Sequence, residues 1–151
     1  QNDVGFERLS LPSLLTTICD NLVDQDKDAV FESGGRMTVV GDPTSLKRGF
    51  LNLIENATKY GLRARVSTER LPDEGRVRVT IDDDGPGITE EERDRVFRPF
   101  VRLEDSRNRK TGGTGLGLAI VKKVMDRHGA TIRLDEAPGG GLRVMVEMDL
   151  A

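Results

Sequence analysis

The chain has 151 residues, 36% apolar and 32% charged, with 17 glycines and a formal net charge of −3. That length suits one domain. A single Cys excludes an internal disulfide, one Cys with one His excludes a Cys/His zinc site, any catalytic triad would need His128, and the acidic balance speaks against nucleic acid as a partner.

No apolar run approaches the roughly 20 residues of a membrane span, and Gln1-Asn2-Asp3 does not open a signal peptide, so a soluble domain in a reducing compartment is expected. Residues 1–10 lack clear periodicity, and residues 1–8 are expected to be a connector ahead of a domain over 9–151. Leu15, Ile18, Cys19 and Leu22 recur at helical spacing after Ser10 and Pro12, which predicts a helix over about 12–28. Cys19 lies in that stripe and reads as a small buried hydrophobe. Two short β-like runs, 29–32 and 37–40, flank Gly34-Gly35. Asp42-Pro43 starts a second helix, with Asp as cap, that runs to about Tyr60 and stops at Gly61 as a C′ glycine. Residues 63–71 and 76–82 alternate around Pro72-Asp73-Glu74-Gly75, a hairpin pattern. Thr89 and Glu92 form a capping box for a short helix ending near Val96. Residues 101–114 are basic and glycine-containing. A helix is expected from Leu116 to His128, closed by Gly129, and strands over about 130–135 and 142–149. Helices separated by antiparallel strand pairs imply a two-layer sandwich with helices on one face of a mixed sheet.

On the second helix, about 100° per residue puts Leu46, Phe50, Leu53, Ile54 and Ala57 on one face. Asn52, Asn56 and Lys59 share a stripe away from it. Most such stripes are solvated polar faces, but Asn is a mediocre helix former, and two at i and i+4 ask for a reason. An amide carbonyl suits Mg²⁺ when nucleotide phosphates carry the negative charge, and a Lys one turn on suits those phosphates. Asp83 leaves a strand at the mouth of a loop containing Gly85, Gly87 and Ile88. A turn alone explains the glycines. The carboxylate is acceptor-only, so it suits the N6 amino group of adenine and repels the O6 of guanine. There is neither a G-x-G-x-x-G fingerprint opening a long helix nor a Walker A loop. Arg102, Arg107, Arg109 and Lys110 then run into Gly112-Gly113-Thr114-Gly115-Leu116-Gly117-Leu118, a glycine-led helix start of the kind that binds anions. A basic loop hinged there can close over a triphosphate. Together, these four features in this order argue for ATP–Mg²⁺ binding.

The motifs resemble the catalytic ATP-binding domain of bacterial sensor histidine kinases. Asn52-Leu53-Ile54-Glu55-Asn56-Ala57-Thr58-Lys59-Tyr60 is similar to that family's N box, Asp83-Asp84-Gly85-Pro86-Gly87 to its first glycine box, Phe97-Arg98-Pro99-Phe100 to its F box and Gly113-Thr114-Gly115-Leu116-Gly117-Leu118 to its second. The segment around Arg102, Asp105, Ser106 and Arg107 is similar to the osmosensor type. The resemblance implies the Bergerat-type α+β sandwich, with a mixed, mostly antiparallel sheet and a lid over about 101–114. It implies that Asn56 holds Mg²⁺ with Asn52 in support, that Lys59, Arg102 and Arg107 meet phosphates, and that Asp83 reads adenine. Tyr60, Ile88 and Leu118 would wall the base and sugar, and Gly85, Gly87, Gly113, Thr114, Gly115, Leu116 and Gly117 would frame the nucleotide. Asp84 stands where many relatives carry Asn.

The family's phosphoacceptor pattern H-[ED]-x-x-x-P is absent, and His128 at a helix C-terminus reads as a cap. The resemblance therefore implies the ATP-binding half of a kinase, cut after its dimerisation and phosphoacceptor domain, monomeric by itself and cytoplasmic within an inner-membrane sensor. Its partners would be that acceptor domain and, indirectly, a response regulator. The alternatives are a gyrase-type or mismatch-repair ATPase, an anti-sigma serine kinase, or a nucleotide-binding module without transfer activity. Gyrase-type hydrolases carry Glu four residues before the metal-binding Asn, where this chain has Asn52.

Overall fold

A computed structural model describes residues 4–72, 74–97 and 118–151. The expected lid, the end of the F box and positions 113–117 lie outside the described residues, among them Arg102, Arg107, Gly113, Thr114, Gly115, Leu116 and Gly117.

The described elements are β1 (Glu7–Ser10), α1 (Leu11–Asp24), β2 (Asp28–Glu32), β3 (Thr38–Gly41), α2 (Pro43–Gly61), β4 (Arg63–Leu71), β5 (Arg76–Asp83), α3 (Glu90–Arg95), α4 (Ala119–Arg127), β6 (Thr131–Glu136) and β7 (Leu142–Asp149). Five strands form one sheet in the order β2-β4-β5-β7-β6, with β2 parallel to β4 and every other pair antiparallel. Period-two alternation puts Ala64, Val66, Val77, Val79, Ile81, Leu142, Val144 and Val146 on the buried face. Leu15, Ile18 and Leu22 of α1, Phe50 and Ile54 of α2, and Val121 and Met125 of α4 complete the core with them. The other sheet face is lined by arginine–carboxylate pairs, including Arg63–Asp28, Arg78–Glu147 and Arg143–Asp82. This is the expected α+β two-layer sandwich.

Four local expectations need correction. Residues 7–10 are a strand, antiparallel to β3, although no periodicity marks them. That pairing separates the two β-like runs at 29–32 and 37–40, which do not pair with each other: β3 joins β1, and β2 joins β4. The first helix ends at Asp24 rather than near 28. Asp26 takes a positive φ of 64°, and the Lys27 N–H donates to the Leu22 carbonyl at 2.9 Å, so an aspartate fills the stop position that glycine usually marks. At the end of α2 the left-handed residue is Leu62, with φ 68°, and not Gly61, which stays helical.

The predicted caps are present. Ser10 Oγ accepts from the Ser13 N–H, Asp42 Oδ1 from the Thr44 and Ser45 N–H groups, and Thr89 Oγ1 from the Glu92 N–H. Cys19 is buried, and that burial pushes its thiol up to about 11.

Candidate nucleotide site

The site lies between the C-terminal half of α2 and the ends of β5 and β7. Leu53, Asn56, Ala57, Ile81, Asp83, Leu118, Leu142 and Val144 line a concavity. Its walls are apolar, and two polar side chains reach it, as in a small-ligand site. Asp83 is the last residue of β5 and is only 2% exposed. Its Oδ1 accepts from the Gly85 N–H at 2.9 Å and the Leu142 N–H at 3.0 Å. The second bond replaces the next rung of the β5–β7 ladder, whose pairing stops at Asp82 opposite Arg143. Two backbone donors fix the direction of this buried carboxyl group.

Glycines make this approach possible. A Cβ on Gly61 would stand 2.3 Å from Asp83 Cβ, and one on Gly141 would stand 2.0 Å from the Asp83 carbonyl oxygen. The close pass is the reason for glycine at both positions. Within the loop, Gly85 sits against Gly61 and Tyr60, and Gly87 has a positive φ of 73°. Ile88 packs partly buried against the core.

The asparagine stripe is present as the helical geometry requires. Asn56 Nδ2 donates to Asn52 Oδ1 at 3.3 Å. With its nitrogen committed there, Asn56 has its carbonyl oxygen to offer a hard cation, which is the donor type Mg²⁺ takes. Among the described residues no cluster of His, Cys, Asp and Glu could hold a metal ion. Two neutral amides fit a metal whose remaining ligands come from phosphate and water. Lys59 is exposed at the same end of α2, its Nζ 5.5 Å from the Tyr60 ring. Tyr60 is buried with the core, and neither residue lines the concavity. Leu118, which the resemblance places against the base and sugar, does line it. Sequence reasoning did not single out Leu142 and Val144 for the site. Alternation marks both as inward-facing, but nothing local shows that β7 lies beside β5.

The single histidine is structural. His128 Nε2 accepts from the Asp42 N–H at 3.1 Å, and its Nδ1 lies 2.7 Å from the Val124 carbonyl, so the proton sits on Nδ1. The ring caps the end of α4, as expected, and also holds the start of α2.

The sequence profile of the "Histidine kinase-, DNA gyrase B-, and HSP90-like ATPase" family matches residues 41–151. Sensor histidine kinase CpxA of Escherichia coli is 36% identical over 116 residues, which cover 77% of this chain and 25% of CpxA. The chain thus spans about a quarter of that curated relative. A mycobacterial sensor histidine kinase, MprB, superposes with a TM-score of 0.80 at 30% identity, covering 95% of this chain and 97% of that one. The histidine kinase domain of the E. coli osmosensor EnvZ gives 0.72 at 32% identity, covering 96% and 89%. The chain belongs to the histidine kinase-, DNA gyrase B- and HSP90-like ATPase family, and its relatives there are sensor histidine kinases.

Proposed function

We propose that this domain binds ATP with Mg²⁺ and donates the γ-phosphoryl group to a histidine on a separate dimerisation and phosphoacceptor domain of a two-component sensor kinase. The observation that carries this is Asp83, a nearly fully buried carboxylate fixed by two backbone N–H groups in an apolar concavity with Asn56 beside it. In this reading a purine lies against the apolar walls, and its N6 amino group donates to the carboxylate. The same acceptor repels guanine O6.

Asn56, supported by Asn52, would hold Mg²⁺, which when bound draws charge from the β- and γ-phosphates. Lys59 meets the phosphates as a point charge, and Arg102 and Arg107 close over them from the lid. Gly113, Thr114, Gly115, Leu116 and Gly117 frame the phosphates by backbone N–H groups. Transfer is then a matter of positioning and electrostatics. The acceptor is not His128, since both of its ring nitrogens are engaged within the fold. Asn52 stands where a hydrolase would need a carboxylate base, which favours transfer over hydrolysis. The domain acts as a monomer on the cytoplasmic side, with a response regulator receiving the phosphoryl group afterwards.

The test mixes the chain with labelled ATP and a phosphoacceptor domain in trans. Acid-labile label should appear on the acceptor and not on this chain. Asn56→Asp should reduce transfer at least about tenfold. Label on His128, or no nucleotide binding at all, overturns the proposal.

A further inference from the structure

Three aspartates stand in a row at the mouth of the site. Strand alternation sends Asp83 inward and Asp82 to the open face of the sheet, and Asp84, one residue past the strand, is exposed. Each outer carboxylate is taken by an arginine from a different neighbouring strand. Arg143 of β7 grips Asp82 with a two-bond fork, Nε to Oδ1 at 2.8 Å and a terminal nitrogen to Oδ2 at 2.7 Å. Arg65 of β4 pairs with Asp84 at 2.5 Å. The side chains of Asp82 and Arg143 are 13% and 33% exposed, so that pair is partly shielded, whereas the Arg65–Asp84 pair is more open to solvent.

The placement of the fork matters. Asp82 and Arg143 face each other on the last rung of the β5–β7 pairing. The next residue of β5 is Asp83, and the residue before Arg143 is Leu142, whose N–H holds Asp83 Oδ1. The fork therefore ties the two backbones together one residue from the bond that aims Asp83. Without the arginines, three adjacent carboxylates would repel one another, and the end of β5, still paired with β4 through Ala64, would lose its side-chain tie to β7.

The geometry points to Arg143, with Arg65 in support, as a positioning residue for base selectivity: it holds Asp82 outward so that Asp83 keeps its aim at the purine amino group. This inference rests on the assignment of Asp83 to adenine recognition made above. Arg143 touches no nucleotide in this scheme and acts through Asp82 and Leu142.

The experiment compares ATP and GTP affinity, each with Mg²⁺, by calorimetry on the full chain. Arg76→Gln is the matched control, because Arg76 pairs with Asp149 at the far end of the same two strands. Arg143→Gln should narrow the ATP-over-GTP preference about fivefold, a modest share of what a charged hydrogen bond contributes. Arg65→Gln should narrow it less, and Arg76→Gln should leave it unchanged even where it lowers the melting temperature. Arg143→Lys keeps the charge without the fork, so it should recover part of the preference, and it carries the test if Arg143→Gln does not fold. An unchanged preference in Arg143→Gln, or an equal loss in Arg76→Gln, overturns the inference. Asp83→Asn separates the two levels. If it abolishes the preference while Arg143→Gln does not alter it, only the role of Arg143 fails. If Asp83→Asn leaves the preference intact, the adenine assignment fails and this inference falls with it.

Discussion

At its N-terminal end α2 is closed by side chains from distant parts of the chain, and at its C-terminal end by backbone lying against backbone. Asp42 caps the first turn and accepts from Arg127 at 2.9 Å, while the Asp42 N–H donates to His128. Phe6 stacks on the His128 ring at 4.8 Å, with the Arg127 guanidinium 4.9 Å from its centroid. His128 thus does across the fold what a capping-box glutamate does locally. At the other end Gly61, Gly85 and Gly141 let the chain close on Asp83 with no room for a methyl group. The first end is adjustable and titrates. The second is fixed by volume, and that is the end that carries the site.

Gly141→Ala attacks the rigid end and should have the largest effect. Its Cβ meets the Asp83 carbonyl, a contact that no side-chain rotation relieves. Urea unfolding should show a loss of at least about 1–3 kcal/mol, and calorimetry a loss of ATP binding. If the variant binds ATP normally, the close pass is not what aims Asp83. His128→Leu attacks the adjustable end. It strips the Asp42 N–H of its partner and should cost about 1–2 kcal/mol of stability, while ATP affinity stays within about twofold. A large affinity loss there would mean that the two ends are coupled through the helix.

Acid sharpens the contrast further. The hydrogen bond from Arg127 is the main cause that holds the Asp42 carboxyl below its ordinary value, aided by the two backbone N–H groups. A lowered folded value means that the carboxylate stabilises the fold above the ordinary range near pH 3.9, and that this contribution is lost as pH falls through the folded value. The melting-temperature gap between the wild type and Asp42→Asn should therefore be full near neutrality and shrink below about pH 4. The smallest effect is expected from salt. Raising it from about 0.1 to 0.5 M should weaken the Arg127–Asp42 tie and leave the glycine-packed end unchanged. The salt-induced shift in melting temperature should be smaller in Arg127→Gln than in the wild type, since the other ion pairs respond in both.

The same contrast explains what was legible in the sequence. The α2 core stripe, its asparagine stripe and the β4–β5 hairpin follow from local periodicity, and all three stand in the fold. Asp83 was visible as a carboxylate at the mouth of a glycine loop. Its anchor, Leu142, was not, because 59 residues separate the two and their meeting depends on strand order. β1 escaped notice because four residues on a short paired edge need no strong pattern. Asp26 and Leu62 escaped because each takes a backbone conformation usually left to glycine. Motif resemblance reached the family because glycine spacing and paired asparagines are local features that survive without knowledge of the topology.

The closure of α2 by His128 and Arg127 also sets an order of events. The Asp42–His128 and Asp42–Arg127 bonds join residues 86 and 85 positions apart, whereas β4 and β5 are joined by a short turn. Asp83 and Leu142 are also distant in sequence, 59 positions apart, but their bond is buried, whereas the Asp42 bonds are part-buried and β1 is largely exposed, and such contacts open first. Amide exchange should therefore be slowest in the middle of β4 and β5 and fast at the Asp42 N–H and along β1. The end of the helix farthest from the nucleotide is then where the domain first loosens, while the base-binding end stays folded.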